Sequence, residues 1–431
     1  MKTEDSAYLK AVQRLYGLQK YGIKFGLSKT KNLLEKFGNP HEGQRYLHIA
    51  GTNGKGSVAA SVGSILKASG LKVGFYSSPH LVRFTERFSI NGLEMDQRTA
   101  TGLINEVWGA FVQEEPPTFF EVTTVMALMY FARAETDLAI MEVGMGGRLD
   151  ATNIITPLVS VITGIGMEHQ AFLGSRLVDI AREKGGIIKP GVDVVTAATQ
   201  PAVIRVLEAI ASEKGAPLWR VGKDLRYRVN ENGFHYKGPT LHLKGLKPGL
   251  NGAFQNRNTA LALGIVERLI DKGYVVSTAD IAHGLATTRW PGRMQIVGER
   301  PLIILDGAHN PPAVRALARS LRSGFIYKRM ILVVGVMADK AIYQLLKGIV
   351  PLADYVIYTR PVYERAAPPD RLMAASQPFG KPGEAIHPLN RALTRARELA
   401  DPDDMILVCG SLFTVGEALT YFDPDLYRPD S

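Results

Sequence analysis

Residues 48–57, HIAGTNGKGS, collect the residue types that hold a polyphosphate. Gly51, Gly54 and Gly56 let backbone N–H groups turn toward one centre, and a following helix adds its positive N-terminal end. Lys55 can meet the outer phosphates, and the Ser57 hydroxyl can ligate Mg²⁺. The spacing departs from G-x-x-x-x-G-K-[ST]: Gly56 follows Lys55, the hydroxyl arrives one place late, and Ile49 stands where the first glycine belongs. A glycine-rich strand–helix turn with no ligand is the plainer reading of such a stretch. The added Lys and Ser favour a nucleotide. Glu142 ends the apolar run LAIMEV, where a carboxylate either faces the phosphates or is solvated. His169, Lys184, Asn258, Arg293, Asp306 and His309 are polar groups beside loop or hinge signals. Read alone, each also fits a loop, helix-surface or capping task.

The elements that must position these residues alternate. RYLHIA (45–50) predicts a strand, 57–69 a helix stopped by Gly70, and KVGFYSS (72–78) the next strand, the setting a phosphate loop needs. Further strands are predicted at 138–143, 157–165 and 193–198, with helices between, so the sheet is mostly parallel and covered on both faces. Residues 218–246 alternate polar and apolar residues around Gly-rich turns and predict a small antiparallel element. A helix follows through NRNTALALGIVERLIDKG, and the Pro/Gly-punctuated 287–301 reads as a hinge. Strands restart at 302–306, 329–336, 355–360 and 404–410, a second α/β domain. The tail YFDPDLYRPDS reads as a surface extension.

Composition bounds the function. The 431 residues carry 51 Lys/Arg against 41 Asp/Glu, a formal charge of +10. The basic residues are spread along the chain, which favours attraction of small polyanions over a nucleic-acid role. No signal or transit pattern and no membrane span is expected, and one cysteine, Cys409, fits a reducing cytosol. A cytoplasmic monomer with no nucleic-acid or membrane partner is expected.

The loop variant T-N-G-K-G-S resembles the phosphate loop of the Mur ligase superfamily of ATP-dependent amide-bond-forming enzymes. HIAGTNGKGSVAA with YSSPHLVRFTERFSINGLEM (76–95) resembles its folylpolyglutamate synthase/dihydrofolate synthase branch. So do KFGLSKTKNLLEKFGNP (24–40), TFFEVTTVMAL (118–128), MEVGMGGRLDATN (141–153), GMEHQAFLGSRLVDIAREKGGIIKPG (166–191), WPGRMQ (290–295), LDGAHNP (305–311) and VCGSLFTVGEAL (408–419). The matches run in order over nearly the whole chain. The resemblance implies an α/β protein: an N-terminal P-loop NTPase-like, ATP-binding domain over 1–290, with a mainly parallel sheet plus a small antiparallel element; a hinge linker over 291–300; and a C-terminal Rossmann-like ligase domain over 301–431.

It also implies roles. Thr52, Asn53, Gly54, Lys55, Gly56 and Ser57 would hold the ATP phosphates. Ser57 and Glu142 would ligate one Mg²⁺ and His169 a second. Magnesium prefers oxygen, so the imidazole rests on the resemblance alone, and Glu168 stands where the family often has Asp. Lys184 would be carbamylated by CO₂. Asn258 would contact adenine, in a stretch where Phe254 replaces the family's first His. Arg293 would neutralise phosphate, Asp306 hold ribose, and His309 lie by the nucleotide. Lys55, Lys184 and His309 are the expected catalytic set. Thr118, Phe120, Asp150 and Ala151 match a dihydropteroate pocket, with Phe120 able to stack on a pterin or simply to fill the core. The implied substrates are ATP, L-glutamate, dihydropteroate and reduced folates. A folylpolyglutamate synthase without the second activity is the nearest alternative. A cell-wall Mur ligase would need a UDP-binding domain ahead of the loop, where only about 45 residues stand, few for a domain.

Overall fold

The structure, a computed structural model, describes residues 2–22, 26–112 and 114–430; Lys24 and Phe25 of the 24–40 stretch lie outside them. Eight strands form the first sheet: β1 (Tyr46–Ala50), β2 (Val73–Tyr76), β3 (Phe88–Ile90), β4 (Leu93–Glu94), β5 (Leu138–Glu142), β6 (Val159–Ile162), β7 (Asp193–Thr196) and β8 (Leu218–Arg220). Their order is β4-β3-β2-β5-β1-β6-β7-β8. β2, β5, β1, β6, β7 and β8 pair in parallel, and β3 and β4 add an antiparallel edge. β1, β5 and β6 are buried throughout, as their mostly apolar sequences favour when helices cover both faces, with His48, Glu142 and Ser160 the buried polar exceptions.

β9 (Arg226–Asn230), β10 (Gly233–Lys237) and β11 (His242–Leu246) make a separate antiparallel sheet. The predicted antiparallel element thus begins later than 218, because Leu218–Arg220 pairs in parallel with β7. The helix Gln255–Asp271 underlies this small sheet and returns the chain to the phosphate loop.

The last sheet comprises β12 (Gln295–Glu299), β13 (Leu302–Asp306), β14 (Met330–Val334), β15 (Tyr355–Tyr358), β16 (Gly383–Ala385) and β17 (Met405–Cys409), ordered β12-β13-β17-β14-β15-β16. Only β12 runs antiparallel. Half of the segment expected as linker, Gln295–Glu299, is therefore sheet: its alternating side chains pair with β13. The tail also departs from a surface extension. Arg83 donates to the carbonyls of Leu426 and Arg428 (3.0 and 3.2 Å), and the Asp430 carboxylate accepts from the Tyr8 hydroxyl and the Phe84 N–H, both at 3.0 Å. No described helix is long and apolar enough to cross a membrane.

Candidate active site

β1, β5 and β6 lie side by side at the centre of the first sheet, so the loops leaving their C-terminal ends share one edge. The first of these is the glycine loop. Gly51 has φ +149°, and a Cβ there would lie 1.8 Å from Thr163 Oγ1. Gly54 sits at φ +93° as N-cap of the helix Lys55–Ala68, with no side chain capping the first turn. The N–H groups of that turn stay free for an anion. The Thr163 hydroxyl donates to the Asn53 carbonyl (2.7 Å), and the Thr52 hydroxyl both accepts from Gly166 N–H (3.0 Å) and donates to Gly166 C=O (3.1 Å). The loop is thus clamped to the segment after β6.

Two ammonium groups meet on this loop. Lys55 Nζ donates to the Gly51 carbonyl at 3.1 Å, and Lys184 Nζ donates to the same oxygen at 3.0 Å. Lys184 comes from the helix Leu177–Gly185, is 2% exposed and pairs with Glu168 at 2.9 Å. Burial pulls its pKa down and Glu168 pushes it back up, with the balance below an ordinary lysine. Burial acts to raise Glu168, but Lys184 and Lys55 hold it below the usual carboxylate range. Glu142 ends β5 buried, with Lys55 Nζ 3.8 Å from Oε1 and the Ser78 N–H 3.4 Å from Oε2. Burial raises its pKa against the pull of Lys55. Ser57 is buried and accepts from Gln255 Nε2 (3.2 Å). The Ser57 hydroxyl and the sparsely hydrogen-bonded Glu142 carboxylate are oxygen donors of the kind Mg²⁺ takes, beside a buried negative charge that a cation would relieve. His169 is exposed, at φ +46° ahead of the short helix Gln170–Leu173.

The second half of the chain closes over this edge. Asn53 and Asn310 exchange amide hydrogen bonds (3.1 and 2.9 Å). A Cβ on Gly56 would lie 2.6 Å from the Trp290 ring, so only glycine admits the indole there. Arg293 makes no hydrogen bond or ion pair among the described residues, while its charge acts on Glu142, Asp306 and His309. It lines a cleft of ≈ 480 Å³ with Gly56, Ser78, Glu142 and Trp290. Asp306, buried at the end of β13, accepts from Met294 N–H (2.9 Å) and Ala308 N–H (2.8 Å). His309 Nδ1 lies 2.8 Å from the Gly307 carbonyl, which can only accept, so Nε2 is the unprotonated nitrogen. Burial and Arg293 push its pKa down to about 4. Asn258 donates to Gln255 Oε1 (2.7 Å) and lies against Gly54, over the loop; it caps no helix.

The four residues matched to a pterin pocket stand to one side. Thr118 caps the helix Phe119–Arg133 and its hydroxyl donates to Glu121 (2.8 Å). Phe120 packs over Gly144, two residues past Glu142. Both Asp150 oxygens are engaged by its own turn, Oδ2 by Met145 N–H (2.9 Å) and Oδ1 by Thr152 N–H (3.1 Å) and hydroxyl (2.5 Å). Ala151 is buried behind it. Several neighbours carry no signal in the sequence for their individual tasks. Arg87 is buried, donates to His80 Nδ1 (2.9 Å) and lies 5.0 Å over the Phe119 ring. Arg87, His80 and Ser78 all fall inside YSSPHLVRFTER, so the block was visible and its individual tasks were not. Asn310 and Trp290 act across the two halves, and no local pattern signals that.

Residues 49–266 match the Mur ligase middle domain, and 292–412 match the Mur ligase, glutamate ligase domain. The dihydrofolate synthase/folylpolyglutamate synthase of Bacillus subtilis is 33% identical over 430 residues, 96% of this chain and 98% of that protein. The chain belongs to this family of Mur ligases. Among solved structures, Escherichia coli FolC in complex with DHPP and ADP is 32% identical, covers 96% of this chain and 98% of that one, and superposes with a TM-score of 0.89. A bifunctional folylpolyglutamate synthase/dihydrofolate synthase with Mn, AMPPNP and L-glutamate bound is 32% identical, covers 95% and 97%, and has a TM-score of 0.85. The protein is an ATP-dependent Mur-type ligase, and the pairing of a mainly parallel N-terminal sheet with a second mixed sheet is this family's architecture.

Proposed function

We propose that this ligase joins the amine of L-glutamate to the side-chain carboxylate of reduced folates and to the carboxylate of dihydropteroate, through an acyl phosphate. Joining a carboxylate to an amine in water is uphill. A carboxylate oxygen of the acceptor therefore attacks the γ-phosphorus of ATP, the bond to ADP breaks, and an acyl phosphate forms. The glutamate amine then attacks the acyl carbon, a proton is lost from nitrogen, and phosphate leaves with the former carboxylate oxygen. The protein's part is positioning and charge neutralisation.

The observation that carries this reading is the convergence of Lys55, Lys184, Glu142 and Arg293 on one glycine loop. Thr52 to Ser57 cradle the phosphates, Lys55 and Arg293 neutralise the moving phosphoryl group, and Asn258 and Asp306 hold the nucleoside. His309, uncharged at neutral pH, can accept a proton at Nε2. Bound Mg²⁺ adds charge neutralisation to the phosphates; Ser57 and Glu142 would hold one ion, and His169 with a carbamylated Lys184 a second. The depressed pKa of Lys184 favours the neutral amine that CO₂ requires. Carbamylation would also replace one of two crowded cations by an anion. Thr118, Phe120, Asp150 and Ala151 frame the pterin, Phe120 by its ring face and Asp150 by shaping the turn. The protein acts as a cytoplasmic monomer.

The test is product analysis after incubation with ATP, Mg²⁺, L-glutamate and either dihydropteroate or a tetrahydrofolate. Each acceptor should gain a glutamyl residue with release of ADP and phosphate. Extension of the folate alone would leave a folylpolyglutamate synthase. ATP hydrolysis indifferent to acceptor and glutamate would overturn the ligase assignment of the site.

A further inference from the structure

The small antiparallel sheet has two unlike faces. Antiparallel partners directly opposite each other share a face. Phe234 pairs with Val229 and Leu246, and Tyr236 with Tyr227 and Leu243. Phe234, Tyr236, Leu243 and Leu246 join the main core, and the Tyr236 hydroxyl donates to the buried Glu267 at 2.7 Å. The opposite face follows from the same register. His235 pairs with Arg228, and Lys237 pairs with Arg226 on one side and His242 on the other. Lys244 follows two residues after His242 along β11. Six basic side chains therefore tile one face, and five of the six residues are exposed, with His235 half-buried.

No acid shares that face. Between Lys223 and Lys247 there are six Lys/Arg and two acids, Asp224 and Glu231. The Asp224 carboxylate closes its own turn on Arg220 N–H (3.0 Å), and Glu231 sits in the turn beyond the strand ends. None of the six basic residues enters an ion pair among the described residues. The six residues line a shallow second cavity of ≈ 410 Å³ together with Tyr227, Tyr236 and Leu243. Basic residues that look dispersed over the whole chain are here concentrated by two hairpin turns.

We propose that this face binds the phosphate backbone of single-stranded nucleic acid, independently of sequence. Strands stand about 4.8 Å apart and same-face residues recur about every 6.7 Å along each strand, so the basic groups line the shallow cavity as an extended grid. A grid suits an extended chain of regularly spaced anions better than one compact ligand. Two of the groups are guanidiniums, which hold phosphate oxygens in pairs. Strand register puts Tyr227 and Tyr236 with the core-facing set, although both also reach the cavity lining; the basic side chains meet phosphates, which carry no sequence information. The ligase centre is remote: Gln255 touches Ser57, whereas Glu267 beneath the sheet lies twelve residues further along the same helix, about 18 Å at 1.5 Å per residue.

The experiment is fluorescence anisotropy of labelled single-stranded RNA and DNA oligonucleotides of unrelated sequence, with the full chain, across a salt series and with saturating non-hydrolysable ATP analogue to block the phosphate loop. Four Lys/Arg contacts predict a log–log salt slope of about −3, at about −0.7 per phosphate neutralised. The triple variant R228Q/K237Q/K244Q should weaken binding at low salt by roughly tenfold or more and flatten the slope to about −1, and R228E/K237E/K244E should weaken it further, with ligase turnover unchanged in both, which also reports an intact fold. Equal binding by wild type and both variants would overturn the proposal. So would an absence of wild-type binding at low salt, a strong preference for one sequence, or capture by phosphatidylserine vesicles in preference to oligonucleotides.

Discussion

Lys55 and Lys184 donate to one carbonyl oxygen, an arrangement stable only while anions stand nearby. Lys55→Ala and Glu142→Ala should each nearly abolish amide formation while the protein stays folded; near-normal turnover in steady-state assays of either would remove them from the site. Lys184→Ala should cut activity strongly, with partial rescue by short-chain carboxylates; native mass spectrometry of the active protein should show one added CO₂, and a free Lys184 amine in the active state would count against carbamylation. Asp150 matches a pterin-contact position, yet both its oxygens close their own turn. Asp150→Ala should therefore lower turnover with dihydropteroate and with a folate by similar factors; a loss confined to dihydropteroate would restore a direct contact. His309 gives a pH test. The unfolded chain takes up the imidazole proton near 6.5, the folded one at about 4. Between those values the unfolded state holds more protons, so this residue's contribution to stability falls as pH drops from ~6.5 to about 4. Thermal unfolding should show wild type losing more than His309→Gln over that window, and parallel curves would count against the buried neutral imidazole.

At the scale of elements, the strand–loop–helix–strand around HIAGTNGKGS was legible because its apolar runs, its glycines and Gly70 are local signals. The same holds for β13, β14, β15 and β17, whose apolar runs need no partner to be seen. From sequence, Leu218–Arg220 groups with the hairpins after it, because alternation does not reveal which neighbour a short strand pairs with. β12 was hidden by proline and glycine on either side. The tail read as extension because the Asp430 bonds to Tyr8 and Phe84 span the whole sequence. Among site residues, the glycine loop and Glu142 are legible from type and spacing, whereas the roles of Asp150, Ala151, His169, Lys184, Asn258, Arg293, Asp306 and His309 come from family resemblance. The loop itself is a geometric object. Gly51→Ala would drive a methyl into Thr163 at an unfavourable φ. It should lose ATP binding in calorimetry and destabilise by a few kcal/mol, a typical upper range for backbone strain with a steric clash; unchanged ATP affinity would contradict the clamp described between β1 and β6.

At the scale of the molecule, residues of both halves line the candidate cleft. The paired amides of Asn53 and Asn310 join them at the phosphate loop. Asn310 also caps the helix Pro311–Gly324 through Oδ1. Asn310→Asp keeps the cap and loses the donor to Asn53. A hydrogen bond of about 1 kcal/mol predicts roughly a fivefold fall in kcat/KM for ATP with little change in Tm, and an unaltered kcat/KM would show that closure does not use this contact. The proposed mechanism requires that the acceptor carboxylate is phosphorylated before the amine attacks. Its most direct test is to label both carboxylate oxygens of the acceptor with heavy oxygen and follow the label by mass spectrometry. Transfer of one labelled oxygen to the released phosphate, with the other retained in the amide, is the predicted result. Phosphate free of label would contradict it.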